Sequence, residues 1–361
     1  MPVDIDALRD AFPVFSELAY LNAGTDGPLP AAAAQAGGAE LQGEAEHGRA
    51  GTHFERRHEL ADLLRGAYAR ALACDPGEVS LTTCTSEGLA SVIDGLGLRA
   101  GEEILTSDEE HPGLLGALAA ASDLYGVSVR MAPFEEVAEA VGDNTRLIAC
   151  SHVSWMTGRV APSALADVEV PVLLDGAQGV GAVPVDVTSL GCDAYAGAGQ
   201  KWLCGPDGLG MLHVTPALRE RLTVSRRGYG TLLDPSAGLE AHLYEDGRRF
   251  DTFALSAEAL ATALAALEIL ERVGWAAVHE RAIGLAERFA VELEGAGREI
   301  SPRGASTLVS FASKDPLAER VHLAGQGVVL RDIPDHPRLR ASVGAWNDES
   351  DLERLLEGLL V

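Results

Sequence analysis

The sequence predicts an α/β protein, with a large unit built on a mostly parallel sheet and a smaller α+β unit after it. Two observations predict this. Between Val79 and Val214 short apolar runs alternate with helix-like stretches, the signature of crossover units. After about Arg248 the pattern changes to two long helical stretches and then short strands. The 361 residues, at about 150 per domain, accommodate both units.

In chain order, residues 1–20 read as an arm packing on the small unit, 21–245 as the large unit and 246–361 as the small one. The run AAAAQAGGAE near Ala31 reads as a helix start. VSLTT, EEILTS, VSVRMAP, RLIACSHVS, VPVLLDGA, CDAYAGAG and GMLHV read as strands. Gly228 to Gly247 is a Gly- and Pro-punctuated link. Helices follow from about Ser256 to Arg272 and Trp275 to Leu293, then STLVSFAS, GVVLR and LRASVG as strands.

A formal charge of −26 repels phosphate backbones and anionic headgroups, so nucleic-acid and membrane-surface partners are not expected. Glu258 and Glu268 interrupt the longest apolar stretch, and the start MPVDIDALRD is acidic, which predicts a soluble cytoplasmic protein. Five scattered cysteines indicate neither a disulfide framework nor a zinc site. There is no Walker loop, GxGxxG after a strand, GxSxG or HExxH. His47, His53 and His58 do not share a helical face and read as solvent-exposed, so no metal is expected.

In a parallel sheet, ligands bind beyond the carboxyl ends of the strands. Asp175 ends one strand and Lys201 follows the next, so both point into one crevice. A lysine there, beside a carboxylate and Trp202, suits a Schiff-base amine, because desolvation lowers its pKa. An aspartate facing a pyridine nitrogen keeps that ring protonated. Taken singly, each residue reads better as a surface lysine or a strand-capping aspartate.

From YLNAGTDGPLP at Tyr20, through TTCTSEG, DEEHPG, SHVSWMTGRVAP, DGAQ and GQKWLCGPDGLG, to LRASVGAWND, the chain resembles the class V aminotransferases. These are fold type I pyridoxal-phosphate enzymes that include cysteine desulfurases, cystine lyases and the isopenicillin epimerase group. The resemblance implies pyridoxal 5'-phosphate as cofactor and a homodimer with active sites at the interface. Lys201 would carry the cofactor, Asp175 pair with its ring nitrogen, Gln178 bond near its phenolic oxygen and His111 stack on its face. Ser86, with Thr85 beside it, would bind the phosphate. A helix start there suits an anion independently, although an ordinary N-cap has the same pattern. Arg340 would grip the substrate carboxylate, a salt bridge being the competing reading.

The chain also departs from the pattern. Ala198, Gly199 and Gln200 stand where the family often has Ser-Gly-His, so a phosphate hydroxyl is lost and Gln200 replaces a histidine donor. Phe253 and Ala254 occupy a Gly-Thr whose threonine reaches the neighbouring subunit, with Thr252 the adjacent hydroxyl. Trp155 replaces an asparagine usual in desulfurases, a substitution more similar to the cystine-lyase and epimerase-like branch.

A desulfurase needs a nucleophilic cysteine before the carboxylate-binding arginine, and RDIPDHPRLRAS has none. Cys84 and Cys204 sit in contexts typical of packing. Chemistry at the α carbon remains, with carbon–sulfur elimination from cystine, cysteine or a cysteine conjugate favoured. Transamination, epimerisation and a non-catalytic ligand-binding role are the alternatives. Asn22 to Thr25, Arg226 to Tyr229 and Trp346 are expected to shape the substrate pocket, with Asn22 at the substrate.

Overall fold

The computed structural model describes residues 4–252 and 254–359. In chain order the strands are β1 Ala19–Tyr20, β2 Val79–Thr82, β3 Glu103–Ser107, β4 Ser128–Ala132, β5 Thr145–Ser151, β6 Val172–Asp175, β7 Ala194–Ala198, β8 Gly210–Val214, β9 Leu308–Ala312, β10 Val328–Val329, β11 Arg331–Asp332 and β12 Arg338–Ser342. The α-helices are α1 Ala31–His47, α2 Gly51–Leu72, α3 Thr85–Gly95, α4 Pro112–Tyr125, α5 Pro216–Arg221, α6 Ala257–Val273, α7 Trp275–Gly295, α8 Pro316–Gly325 and α9 Glu349–Leu359.

Each apolar run named between Val79 and Val214 forms a strand of one seven-stranded sheet, ordered β2-β8-β7-β6-β5-β3-β4. Only β8 runs against its neighbours. The central runs are continuously apolar because both faces are covered, whereas β4 at the sheet edge is partly exposed. Ile148, Cys150, Val172 and Leu174 pack on one face with Leu64 and Tyr68 of α2, while Leu147, Ala149 and Leu173 pack on the other with Leu89 and Leu118. Odd and even positions of one strand thus enter different clusters, as the strand period of two requires.

The crossovers are thinner than the sequence suggests. Full helices follow β2 and β3, but a short 3-10 turn at Phe134–Glu136 follows β4 and another at Ser163–Asp167 follows β5. No helix separates β6 from β7 or β7 from β8. Pro162, Pro171 and Pro184, with the glycines around them, deny these segments a continuous helical ladder.

Beyond this sheet, β11, β12 and β9 form an antiparallel sheet, and β1 pairs in parallel with β10. The single apolar run GVVLR therefore serves two sheets, divided at buried Leu330. Residues before β1 lie against the far end of the chain: Phe12 meets Trp346 at 5.2 Å, and Arg9 pairs with Asp351 at 2.7 Å. Helix α6, placed by the sequence division at residue 245 in the small unit, packs on α1 and α2, with Leu260 and Leu267 in the same cluster as Tyr68. Phe253 lies outside the described residues.

An ion pair fastens α2 to the edge of the large sheet. Arg65 donates to Asp251 at 2.8 and 3.0 Å and to the Val79 carbonyl at 2.7 Å, while Asp251 also accepts from the Leu81 amide. Burial pushes the Asp251 carboxyl up, against the pull of Arg65. Removing one partner strands a buried charge, so Asp251→Ala should cost about 3–5 kcal/mol in chemical denaturation. The double variant Arg65→Met, Asp251→Leu should recover much of that loss, and an unaltered denaturation midpoint for Asp251→Ala would remove the pair from the account.

Candidate functional site

The strand ends at Asp175 and Ala198, with the segments that follow β2, β3 and β5, border one cavity of about 240 Å3. It is lined by Thr85 and Ser86 at the start of α3, by His111, Trp155, Asp175 and Gln178, and by Gln200, Lys201, Arg331 and Arg340. Chain topology thus gathers residues spread from Gly24 to Arg340 at one edge of the sheet, where ligands of such folds bind.

Asp175 terminates β6 and accepts from the Ala177 amide at 3.0 Å. Burial raises its pKa, and the Lys201 amine opposes that rise. Lys201 follows β7 in a turn held by the chain before α1: the Gly27 amide donates to the Gln200 carbonyl at 2.7 Å. A side chain at position 27 would lie 1.9 Å from the Lys201 carbonyl oxygen, so only glycine permits this approach. Burial lowers the Lys201 amine to about 8, against the pull of Asp175, and the Arg340 charge adds to the depression.

His111 caps α4, accepting from the Gly113 amide through Nδ1 at 3.0 Å, and Pro112 sets the first helical position. Burial, then the charges of Lys201, Arg331 and Arg340, hold it down at about 4, so the ring is neutral at physiological pH. Trp155 stands edge-on to it, ring centroids 5.1 Å apart. The Trp155 carbonyl accepts from Arg340 at 2.7 Å, and the Arg331 guanidinium lies 5.9 Å from the indole centroid.

Helix α3 begins without a side-chain cap, since Cys84 makes no capping bond. Its first amides are therefore left for a ligand, and the buried Thr85 hydroxyl has no partner either. Glu87 in the first turn is turned away, accepting from the Thr83 amide at 2.6 Å and from Thr252 at 2.8 Å. The Thr252 hydroxyl, the one beside the missing Gly-Thr, is thus committed to Glu87 of the same chain.

Several expected residues stand elsewhere. Asn22 is not part of the lining; its Oδ1 accepts from Thr25 at 2.9 Å, because the chain turns there, and Gly24 and Thr25 face the cavity in its place. Gln178 does line it, donating to the Gly24 carbonyl at 2.7 Å and accepting from Trp202 at 3.0 Å. Tyr229 borders a different hollow of about 310 Å3 with Thr252, Arg226 faces Glu87, and Trp346 is buried against Phe12. Cys84, expected to pack, lines the cavity, whereas Cys204 is buried.

Arg331 was missing from the sequence reading. It sits nine positions before Arg340 on a different strand, and only the pairing of β11 with β12, which sets Arg331 opposite Arg340, brings it to the site. Among the described residues, Cys74, Glu78 and His213 also bring ligand atoms within 4.8 Å of one another, at the other end of the sheet. A 3.1 Å hydrogen bond from His213 to Glu78 accounts for that grouping. His53, expected in solvent, is half-buried beside Glu44 at 3.4 Å.

Residues 21–355 match the family model described as aminotransferase class V. A probable cysteine desulfurase of Pseudomonas aeruginosa is 30% identical over 97% of this chain and 96% of its own length. Isopenicillin N epimerase of Streptomyces clavuligerus is 33% identical over 56% of this chain, and the match spans about half of that protein, 54%. Among solved structures, the cystine C-S lyase C-DES in complex with its product cysteine persulfide superposes with a TM-score of 0.90 at 30% identity, covering 96% of this chain and 98% of that one. A C-DES mutant with glycine covalently linked to its pyridoxal-phosphate cofactor superposes at 0.91, with 30% identity over 97% and 98% of the two chains. Among the described residues no helix is long and apolar enough to cross a membrane.

Pyridoxal phosphate suits this donor set. The uncapped α3 start and the partnerless Thr85 hydroxyl can take a phosphate, a buried carboxylate can take a protonated ring nitrogen, and a depressed lysine can take an aldehyde. The Gln200 Oε1 and the Arg340 Nε and Nη2 are likewise buried without partners.

Only the neutral Lys201 amine captures an aldehyde. The rate at which cofactor-free protein takes up pyridoxal phosphate should therefore rise roughly tenfold per pH unit below about 8 and level off above it. Stopped-flow absorbance measures this, and a rate still climbing tenfold per unit between pH 9 and 10 would contradict the depressed amine.

Proposed function

This chain belongs to the class V aminotransferase family and its cofactor is pyridoxal phosphate, and we propose that it is a carbon–sulfur lyase acting on cystine or a closely related conjugate. The observation that carries this reading is the pair of arginines. Arg331 and Arg340 lie directly opposite each other across an antiparallel pair, so their side chains share a face, and both line the cavity. Among the described residues neither forms an ion pair. Two like charges opposed in this way are destabilising until anions arrive. A substrate with two carboxylates supplies them, and cystine carries one at each end of its disulfide.

In this reading Lys201 holds the cofactor covalently, Asp175 takes the ring nitrogen, His111 covers one face, and Thr85 and Ser86 with the start of α3 take the phosphate. Gln178 lies on the phenolic side, with Gln200 before the lysine. When bound, the cofactor supplies a sink for the electron pair that remains after the α proton leaves. Arg340 fixes the α-carboxylate, and its bond to the Trp155 carbonyl fixes the guanidinium in turn. Arg331 holds the far carboxylate. Lys201, with a pKa near 8, accepts the α proton and can return it. Neutral His111 gives no proton to the leaving sulfur at physiological pH. Cleavage of the carbon–sulfur bond sends its electron pair to sulfur. Water then converts the three-carbon fragment to pyruvate and ammonia, leaving cysteine persulfide.

The likeness to C-DES supports this reading, and the RDIPDHPRLRAS segment, which lacks a cysteine, weighs against desulfurase chemistry. The same proposal includes a homodimer, to which the exposed side chains of Tyr229 and Leu233 beside the 310 Å3 hollow point. Sedimentation showing active monomer alone would remove the dimer.

With L-cystine, cofactor-loaded protein should release pyruvate, Lys201→Ala should release none, and Cys84→Ser should retain the activity. Pyruvate absent while the lysine-bound absorption persists would sink cystine elimination in favour of transamination or epimerisation. Losing one charge-assisted contact is worth about 1.5–3 kcal/mol, so Arg331→Ala should raise KM for cystine roughly tenfold to a hundredfold. The same variant should leave KM for a conjugate with an uncharged sulfur substituent within about twofold, and an equal loss on both substrates would remove Arg331 from recognition of the second anion.

A further inference from the structure

Beneath the cavity lies a second buried carboxyl that the mechanism does not use. Glu110 precedes His111 in the segment between β3 and α4 and is 5% exposed. Its Oε1 accepts from the Ser107 hydroxyl and from the Ser151 amide at 3.0 Å, while its Oε2 lies 2.6 Å from the Ser151 hydroxyl. Among the described residues no Lys, Arg or His forms an ion pair with it. Facing it are Asp175 on β6 and the Cys150 thiol on β5, which burial keeps protonated. Ser151 is the register partner of Asp175, so the two carboxyls hang from neighbouring strand ends.

A buried carboxylate with no cation, beside a second carboxylate, is strongly disfavoured. A protonated one keeps every contact here: Oε1 accepts from the Ser107 hydroxyl and the Ser151 amide, and the 2.6 Å contact in which the Ser151 hydroxyl donates to Oε2 of a carboxylate reverses, so that Oε2–H donates to that hydroxyl. Asp175 differs, because Lys201 stands near it and the ring nitrogen is its proposed partner.

We propose that Glu110 is a positioning residue held as a neutral acid. It ties the His111 segment to the ends of β3 and β5 and, while protonated, adds no second negative charge beside Asp175. This rests on the assignment of Asp175 to the ring nitrogen and on the bound cofactor, not on the identity of the substrate. Burial supports it, pushing Glu110 up to about 7, with Asp175 reinforcing the rise. The folded protein then keeps a proton that the unfolded chain loses above its ordinary carboxylate range. Stability from this group is full below about 4.5 and falls as pH rises to about 7.

Glutamine reproduces the neutral acid, its NH2 replacing the O–H toward Ser151. In the cofactor-loaded protein, Glu110→Gln should match wild type in melting temperature at pH 5 and exceed it by roughly 2–4 °C at pH 8. Its visible circular dichroism from bound pyridoxal phosphate should be retained, whereas Glu110→Ala, which frees the His111 segment, should lose at least half of that signal. A Glu110→Gln protein that melts below wild type at pH 8 would show that the charge is required and overturn the proposal. Asp175→Asn serves as the control: it should weaken cofactor binding at least tenfold, and unchanged binding and absorption would overturn the ring-nitrogen assignment itself rather than the protonation of Glu110.

Discussion

The parallel pairing of β5, β6 and β7 is the constraint on which the site depends. Parallel strands end at the same edge, so Ser151, Asp175 and the turn after Ala198 arrive at one level without any contact between their side chains being needed. The strands can be this regular because their residues are buried on both faces, and a one-residue slip would exchange the Leu147 and Ile148 faces throughout. What remains is to close the cavity from outside the sheet. The Gly24 to Gly27 turn and the β11–β12 pair do that, the first through its approach to the lysine turn and the second by delivering guanidinium groups.

Charge inside the cavity is the reverse of charge on the chain as a whole. A protein carrying −26 places Lys201, Arg331 and Arg340 around a single aspartate. Burial weakens Lys201 and Arg340, taking the lysine to about 8 and the arginine to about 9, but guanidinium remains charged at neutral pH. Burial, reinforced by the same cations, keeps His111 neutral. The cavity is therefore prepared for a molecule rich in anionic groups, and phosphate plus carboxylates meets that description.

Strand positions were legible because apolar runs bounded by turn residues have few alternatives, and Asp175 and Lys201 were legible because each directly follows such a run. Crossover structure was less so: proline and glycine mark where a helix cannot continue, yet alternation alone suggested helices between β6, β7 and β8 that do not form. Arg331 was hidden because its place depends on antiparallel register across a turn, which no local pattern encodes. Asn22 was misplaced for the opposite reason, a local turn that uses its side chain on Thr25. Cys84 lay in a recognisable helix start, but only the absence of a cap turns that start toward the cavity.

The two arginines occupy unequal positions. Arg340 is fully buried on the central strand of its sheet and bound to the Trp155 carbonyl, whereas Arg331 is half-buried on an edge strand that pairs on one side only. In the proposed reading, anchoring and discrimination are thus divided between a site that hardly tolerates change and one that tolerates it readily. A lineage descending from this fold could exchange one substrate for another through a single codon on β11, without first losing its hold on the group common to all amino acids.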